Sequence, residues 1–188
     1  MRIEQVLPSG HATLPAMDRS FLGQSELALH LQDGVLGYES VAIATPYRKA
    51  YPEPVRQVGT SVGTTFVASD DSNVLGRVDL SRHWTGLAAV DDLAVDTKAR
   101  RKGVASALLG RAKTWAKQNG LHGVTAETQH NNVAACLLYA RAGSGLAGFD
   151  SRLYSTSAHL ANEIALFWYL MFSETRLNQI RTTPESSR

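Results

Sequence analysis

Two short stretches hold residue types and spacings that can do chemistry. The first is Arg100-Arg101-Lys102-Gly103-Val104-Ala105, between an apolar run ending at Val95 and a segment of helical periodicity. The opening amides of a helix lack intrahelical acceptors, and its dipole makes that end electropositive. Gly103 and Ala105 keep bulky side chains away, so an anion can rest on bare amides among the cations Arg100, Arg101 and Lys102. The pattern suits a pyrophosphate and lacks the lysine arrangement of a triphosphate-binding loop. An ordinary helix start with solvated basic residues is the plainer alternative.

The second stretch runs from Glu127-Thr128-Gln129-His130-Asn131-Asn132 to Leu138-Tyr139 and ends at Gly143. With Asp91 and Asp92, Glu127 makes three carboxylates near the basic turn in sequence. Such a group can take a proton, directly or through water, or hold a cation by its charge. Asp91 and Asp92 are adjacent in a strand, so only one faces any given cleft. Trp84 sits in the turn Ser81-Arg82-His83-Trp84-Thr85-Gly86, where an indole suits cation–π contact or a lid over the core. The six histidines show no metal-ligand spacing, and no metal is expected. Cys136, on an apolar helix face, reads as packing.

The elements that must position these residues follow from periodicity and turn chemistry. A short strand is expected at Arg2–Leu7, then a weak helix near His11–Arg19. Asp33-Gly34 between Glu26–Gln32 and Val35–Ile43 is a two-residue hairpin signal. Thr45 to Pro54, with three prolines, reads as a binding loop rich in aromatic and charged residues. Strands are expected at Ser61–Ser69, Val74–Leu80, Leu87–Val95, Leu121–Gln129, Leu146–Tyr154 and Ile164–Phe172. Val104, Leu108, Ala112 and Trp115 recur at helical spacing beside Ala105, Leu109 and Ala116, and Asn119-Gly120 stops that helix. Asn132–Arg141 is a second helix. The order is α+β, an antiparallel meander feeding a strand–helix–strand–helix unit and a closing hairpin, with mixed, mostly antiparallel pairing. The domain is expected over residues 1–172 and a frayed polar tail over 173–188. Phe167, Trp168, Tyr169 and Phe172 suit core and edge packing or a dimer contact.

Together the two stretches resemble the GNAT acetyltransferases. That family's Arg/Gln-x-x-Gly-x-Gly/Ala turn is similar to Arg100…Gly103-Val104-Ala105, and its Asn-x-x-Ala…Leu-Tyr helix to Asn132…Ala135…Leu138-Tyr139. The resemblance extends to the streptothricin acetyltransferase subfamily through Pro46-Tyr47-Arg48-Lys49, Trp84, Glu127-Thr128-Gln129, Asp150, Tyr154 and Asn162-Glu163. It implies a single GNAT-type domain using acetyl-CoA to acetylate an amine, streptothricin's β-lysine amine being the best guess. It implies further that Leu93, Ala94 and Val95 pair with the pantetheine arm, that residues 100–105 and Asn132 lie at the cofactor, and that Tyr139 protonates the thiolate. Tyr47, Trp84, Asp150 and Tyr154 would line the substrate pocket. Asp91 corresponds to the acidic residue often found in its strand, while Asp92 and Glu127 remain alternatives for the base. Two features depart from the pattern. Glu53 is the only acidic residue between Lys49 and Asp70, where relatives carry an acidic run, and Gly143-Ser144 replaces Gly-Phe.

Composition narrows the classes. At 188 residues, 44% hydrophobic and 19% charged, the chain suits one globular domain. A formal charge of +2 with scattered basic residues gives no case for nucleic acid. The apolar stretch Ile164–Phe172 is too short to span a membrane, Met1–Pro8 has no signal-peptide pattern, and one cysteine suits a reducing compartment, so a cytoplasmic protein is expected. An N-acetyltransferase for another amine metabolite is the nearest alternative; an acyl-CoA-binding module without turnover is the next, and Tyr139 argues against it.

Overall fold

The computed structural model describes residues 1–6, 17–51, 63–157 and 159–173. Strands β1 (Arg2–Val6), β4 (Thr64–Ser69), β5 (Val74–Arg82), β6 (Ala88–Val95), β7 (Gly123–Gln129), β8 (Gly145–Asp150) and β9 (Ala165–Met171) form one sheet, in the order β1-β4-β5-β6-β7-β9-β8. Strands β2 (Phe21–Gln32) and β3 (Val35–Lys49) form a separate ribbon. They leave the meander expected of them, and β1 pairs with β4 instead. Every pairing is antiparallel except β6 with β7. Those two are joined by helix α1 (Val104–Gln118), as a parallel pair requires. Helix α2 (Val133–Arg141) follows β7.

The helix periodicity does what it should. Val104, Leu108, Leu109, Ala112 and Ala116 are the buried residues of α1, and most pack with Phe66, Val78, Leu80 and Ala126 of the sheet. Trp168 of β9 is 1% exposed, its indole N–H donating to Thr128 Oγ1 at 2.8 Å. Since β9 lies between β7 and β8, it is an interior strand, and Trp168 belongs to the core and not to an edge. Asp33 and Gly34, at φ 51° and 77°, make the two-residue turn of the ribbon. Leu27 pins the ribbon to the domain: its side chain is 2% exposed in the core, and its N–H donates to His130 O at 3.0 Å.

Three further expectations change. Thr45–Lys49 is strand and not loop, the end of β3 pairing with Phe21–Gly23. Between the pairs Ser25↔Ala42 and Gly23↔Tyr47, residues 43–46 face Gln24 alone. Pro46 thus sits in a bulge, where a missing N–H costs no ladder bond. Strand β8 ends at Asp150 because that carboxylate accepts from the amides of Arg152 at 2.6 Å and Leu153 at 3.0 Å and turns the chain. Residues 17–19 are not helical. The remainder of the weak helix, the prolines at 52 and 54, and the tail from 174 lie outside the described residues.

Candidate active site

The site begins as a parting of strands. β6 and β7 pair only over Ala88–Val90 against Val124–Ala126. Beyond Val90 the two run on to Val95 and Gln129 without pairing to each other, so a wedge opens between them. On its other side β6 stays paired to β5, with Leu93, Ala94 and Val95 opposite Val78, Arg77 and Gly76. The register slips once. Asp79 meets Asp92 and Leu80 meets Val90, which leaves Asp91 as the extra residue of a β-bulge. The wedge forms a cleft of about 700 Å³, closed by the start of α1 and one face of α2.

At the Val95 end of the wedge, Asp96 accepts from the Lys98 amide at 2.9 Å and starts a short 3₁₀ turn, Thr97–Ala99. Arg101 and Gly103 take left-handed φ of 63° and 81°. Gly103 is the N-cap of α1 and no side chain caps that end, so the first amides of a 15-residue helix are left for a ligand. A Cβ added at Gly103 would meet nothing within 4 Å; its backbone conformation, not crowding, is what favours glycine. These features fit a pyrophosphate. The side chains differ from the simple cation ring. Arg100 is tied down, donating from Nε to Val95 O at 3.1 Å and from NH1 to Ser20 O at 2.6 Å. Arg101 lines the cleft and Lys102 does not. Lys113 and Arg141, which the sequence did not single out, also line it.

The acid–base candidates separate by their partners. Asp92 is held between Arg19 and Arg77, the latter at 3.3 Å. Burial pushes its carboxyl up, and the two guanidiniums act against that. Engaged on both oxygens, Asp92 is poorly placed to take a proton from an amine. Asp91 accepts from Ser81 Oγ at 2.9 Å and is raised by burial. Glu127, on β7 across the wedge, accepts from the Tyr154 hydroxyl and is likewise raised by burial. Tyr139 on α2 is 5% exposed and lines the cleft. Its phenol is pushed up by burial first and then by the charges of Asp92 and Glu127, so it holds its proton at neutral pH. Cys136 is fully buried and pushed up to about 11 by burial, unsuited to act as a nucleophile.

The sequence profile of the Acetyltransferase (GNAT) family matches residues 29–143. The chain belongs to that family. It is similar to a streptothricin acetyltransferase of Escherichia coli, 35% identical over 165 residues, 87% of this chain and 92% of the relative. Streptothricin acetyltransferase A of Bacillus subtilis (strain 168) is 37% identical over 144 residues, 75% and 83% of the two chains. A crystal structure from Bacillus anthracis str. Ames, provisionally designated a streptothricin acetyltransferase and bound to acetyl coenzyme A, superposes with a TM-score of 0.82. It is 31% identical, covering 91% of this chain and 99% of that one. The protein is therefore an acetyl-CoA-dependent N-acetyltransferase of the GNAT fold.

In this GNAT domain the remaining candidates divide. Asn132 lines the cleft and caps α2, its Oδ1 accepting from the Ala135 amide at 3.2 Å. Tyr154 reaches Glu127 and Gln129 and so borders the wedge. Tyr47 covers Gly23 of the ribbon and bonds to Asn131. Trp84, 90% exposed, stands in the turn before β6, at the end of that strand away from the wedge, beside His83. Asp150 is occupied by the turn it makes. Neither Trp84 nor Asp150 is brought to the cleft. Tyr51 was missed: it lines the cleft, stacks on Phe21 with centroids 5.9 Å apart, and donates to Gln129 Oε1 at 2.6 Å. Its only signal was membership of the aromatic-rich stretch after β3.

Proposed function

We propose that this enzyme acetylates a primary amine of streptothricin, the β-lysine amine, and so confers resistance, with Glu127 as base and Tyr139 as acid. Bound acetyl-CoA supplies an electrophilic thioester carbonyl and a thiolate leaving group. The unpaired flank of Leu93–Val95 offers backbone amides to orient that carbonyl and bear its developing charge. Amides at the start of α1, with Arg101, hold the pyrophosphate. Glu127 takes the proton from the amine nitrogen, and Tyr139 holds at its phenol oxygen the proton that the departing sulfur needs. The observation that carries this assignment is that Tyr139 lines the same cleft as Glu127 and feels its charge, while Asp92 is engaged by two arginines.

Asp91 and Glu127 are the two cleft carboxylates without a cationic partner within ion-pair distance among the described residues. At about 4 Å and an effective dielectric near 20, each would attract an ammonium by roughly 4 kcal/mol before desolvation. A polycationic acceptor therefore finds charge without the acidic loop. Likeness over 75% and 87% of the chain to two relatives named for streptothricin supports that particular antibiotic. On this reading the protein is a cytoplasmic enzyme whose domain spans residues 1–172 and whose partner is a small-molecule amine. A free-thiol assay with acetyl-CoA across streptothricin, spermidine and amino-acid amines tests it: thiol release is expected with streptothricin. Release with spermidine alone would assign the enzyme to another amine.

A further inference from the structure

A chain of hydrogen bonds with a single direction runs along the acceptor side of the wedge. Asn132 Oδ1 is committed to the Ala135 amide, so its Nδ2 faces the Tyr51 oxygen and donates to it at 3.3 Å. Tyr51 has one proton and gives it to Gln129 Oε1 at 2.6 Å. With its oxygen engaged, Gln129 presents its amide nitrogen, which donates to the Tyr154 oxygen at 2.9 Å. Tyr154 then has one proton left to give, and Glu127 Oε1 accepts it. Each step forces the next, because a phenol has one donor and an amide one acceptor atom. The last group must therefore accept at Oε1. A carboxylate accepts more strongly there than a carboxyl protonated at Oε2, so the bond favours the charged form.

We propose that this chain orients Glu127 and keeps it ionised for the amine, with Tyr154 as the positioning residue and Gln129 and Tyr51 carrying the orientation from the cap of α2. The proposal rests on the reading of Glu127 as base. Hydrogen bonds among the described residues leave Glu127 Oε2 unused, so that oxygen is the one offered to the ammonium. The other charged groups around Glu127 do not replace Tyr154. Lys49 of β3 favours the charged form, but its ammonium is bound to Glu163 at 2.6 Å, and Glu163 itself opposes ionisation of Glu127. Tyr51, Tyr139 and Cys136 face Glu127 as neutral groups whose own ionisation it suppresses. Against burial, the Tyr154 donor is the largest influence holding the carboxylate charged.

The test is a carboxyl titration followed by carbon-13 NMR in the full-length, glutamate-labelled protein, with Glu127→Gln assigning the resonance. Tyr154→Phe should raise the midpoint of Glu127 by about one pH unit, the loss of a donor to a charged group. Tyr51→Phe should shift it the same way by less. Acetyl-CoA affinity by calorimetry should stay within about twofold in Tyr154→Phe, since that residue does not contact the pyrophosphate turn. A midpoint unmoved in folded Tyr154→Phe overturns the proposal. If that variant fails to bind acetyl-CoA, Gln129→Met, which breaks the chain one step earlier, must give the upward shift or the proposal falls. Streptothricin turnover separates the two layers. Undiminished turnover in Glu127→Gln overturns the base assignment itself, whereas a dead Glu127→Gln with an unmoved midpoint in Tyr154→Phe overturns the chain alone.

Discussion

The catalytic assignment stands on two side chains whose failures should look different. Tyr139→Phe keeps the ring that fills the core and removes only the proton, so the fold should survive. Turnover should fall by roughly 10²-fold or more while the Michaelis constant for acetyl-CoA changes little, as steady-state kinetics will show. Unchanged turnover would reduce Tyr139 to packing. Glu127 has a cost as well as a use. Burial holds its folded carboxyl above the ordinary value, although Tyr154 and Lys49 pull the other way. The folded state thus binds that proton more tightly than the unfolded chain. Its contribution to stability is present below the unfolded pKa and lost as pH rises through the folded one. Glu127→Gln should therefore be at least as heat-stable as the parent at neutral pH while losing most turnover. The parent's kcat/KM should fall as pH drops through a midpoint above the usual glutamate value, and that acid limb should vanish in the variant. A marked drop in melting temperature would show that the charged form is structural.

Elements legible in the sequence were those with local causes. The Asp33-Gly34 turn, the periodic face of α1 and the Asn119-Gly120 stop each depend on a few neighbouring residues, and they appear where expected. The Pro46 bulge and the bulge at Asp91 were not legible, because each is set by the register of a partner strand. Nothing within Val90-Asp91-Asp92 says that β5 will skip a residue there. Two substitutions probe the elements that hold the site. Gly103→Ala places a side chain at φ 81°, which should cost about 1–2 kcal/mol in denaturant unfolding without blocking the turn. Gly103→Glu adds a negative charge beside the bare amides and should abolish measurable acetyl-CoA binding by calorimetry in a folded protein. Wild-type affinity in that variant would remove the pyrophosphate assignment. Leu27→Ala removes the ribbon's buried anchor and should cost roughly 2–5 kcal/mol of stability.

Across the molecule, the two halves of the wedge differ in how they are encoded. The half proposed for the cofactor is nearly continuous in sequence: Leu93 to Ala105 supplies the open strand flank, the turn and the uncapped helix, the kind of stretch a motif can describe. The acceptor half is assembled from Arg19, Tyr51, Glu127 to Asn132 and Tyr154, which no short pattern joins. Carboxylates there could be counted from the sequence, but their availability could not. Asp92 meets two arginines, a fact of tertiary structure, whereas Asp150 makes a local turn with the amides of Arg152 and Leu153 in a stretch whose pattern reads instead as strand. The substrate claim therefore rests on the charge left at Asp91 and Glu127 and on likeness to relatives named for one antibiotic. Mass spectrometry of streptothricin incubated with the protein and acetyl-CoA tests that claim most directly. The account predicts a product heavier by one acetyl group, with the fragment pattern placing it on the β-lysine moiety. Unmodified streptothricin, in a mixture where spermidine is acetylated by the same preparation, would contradict it.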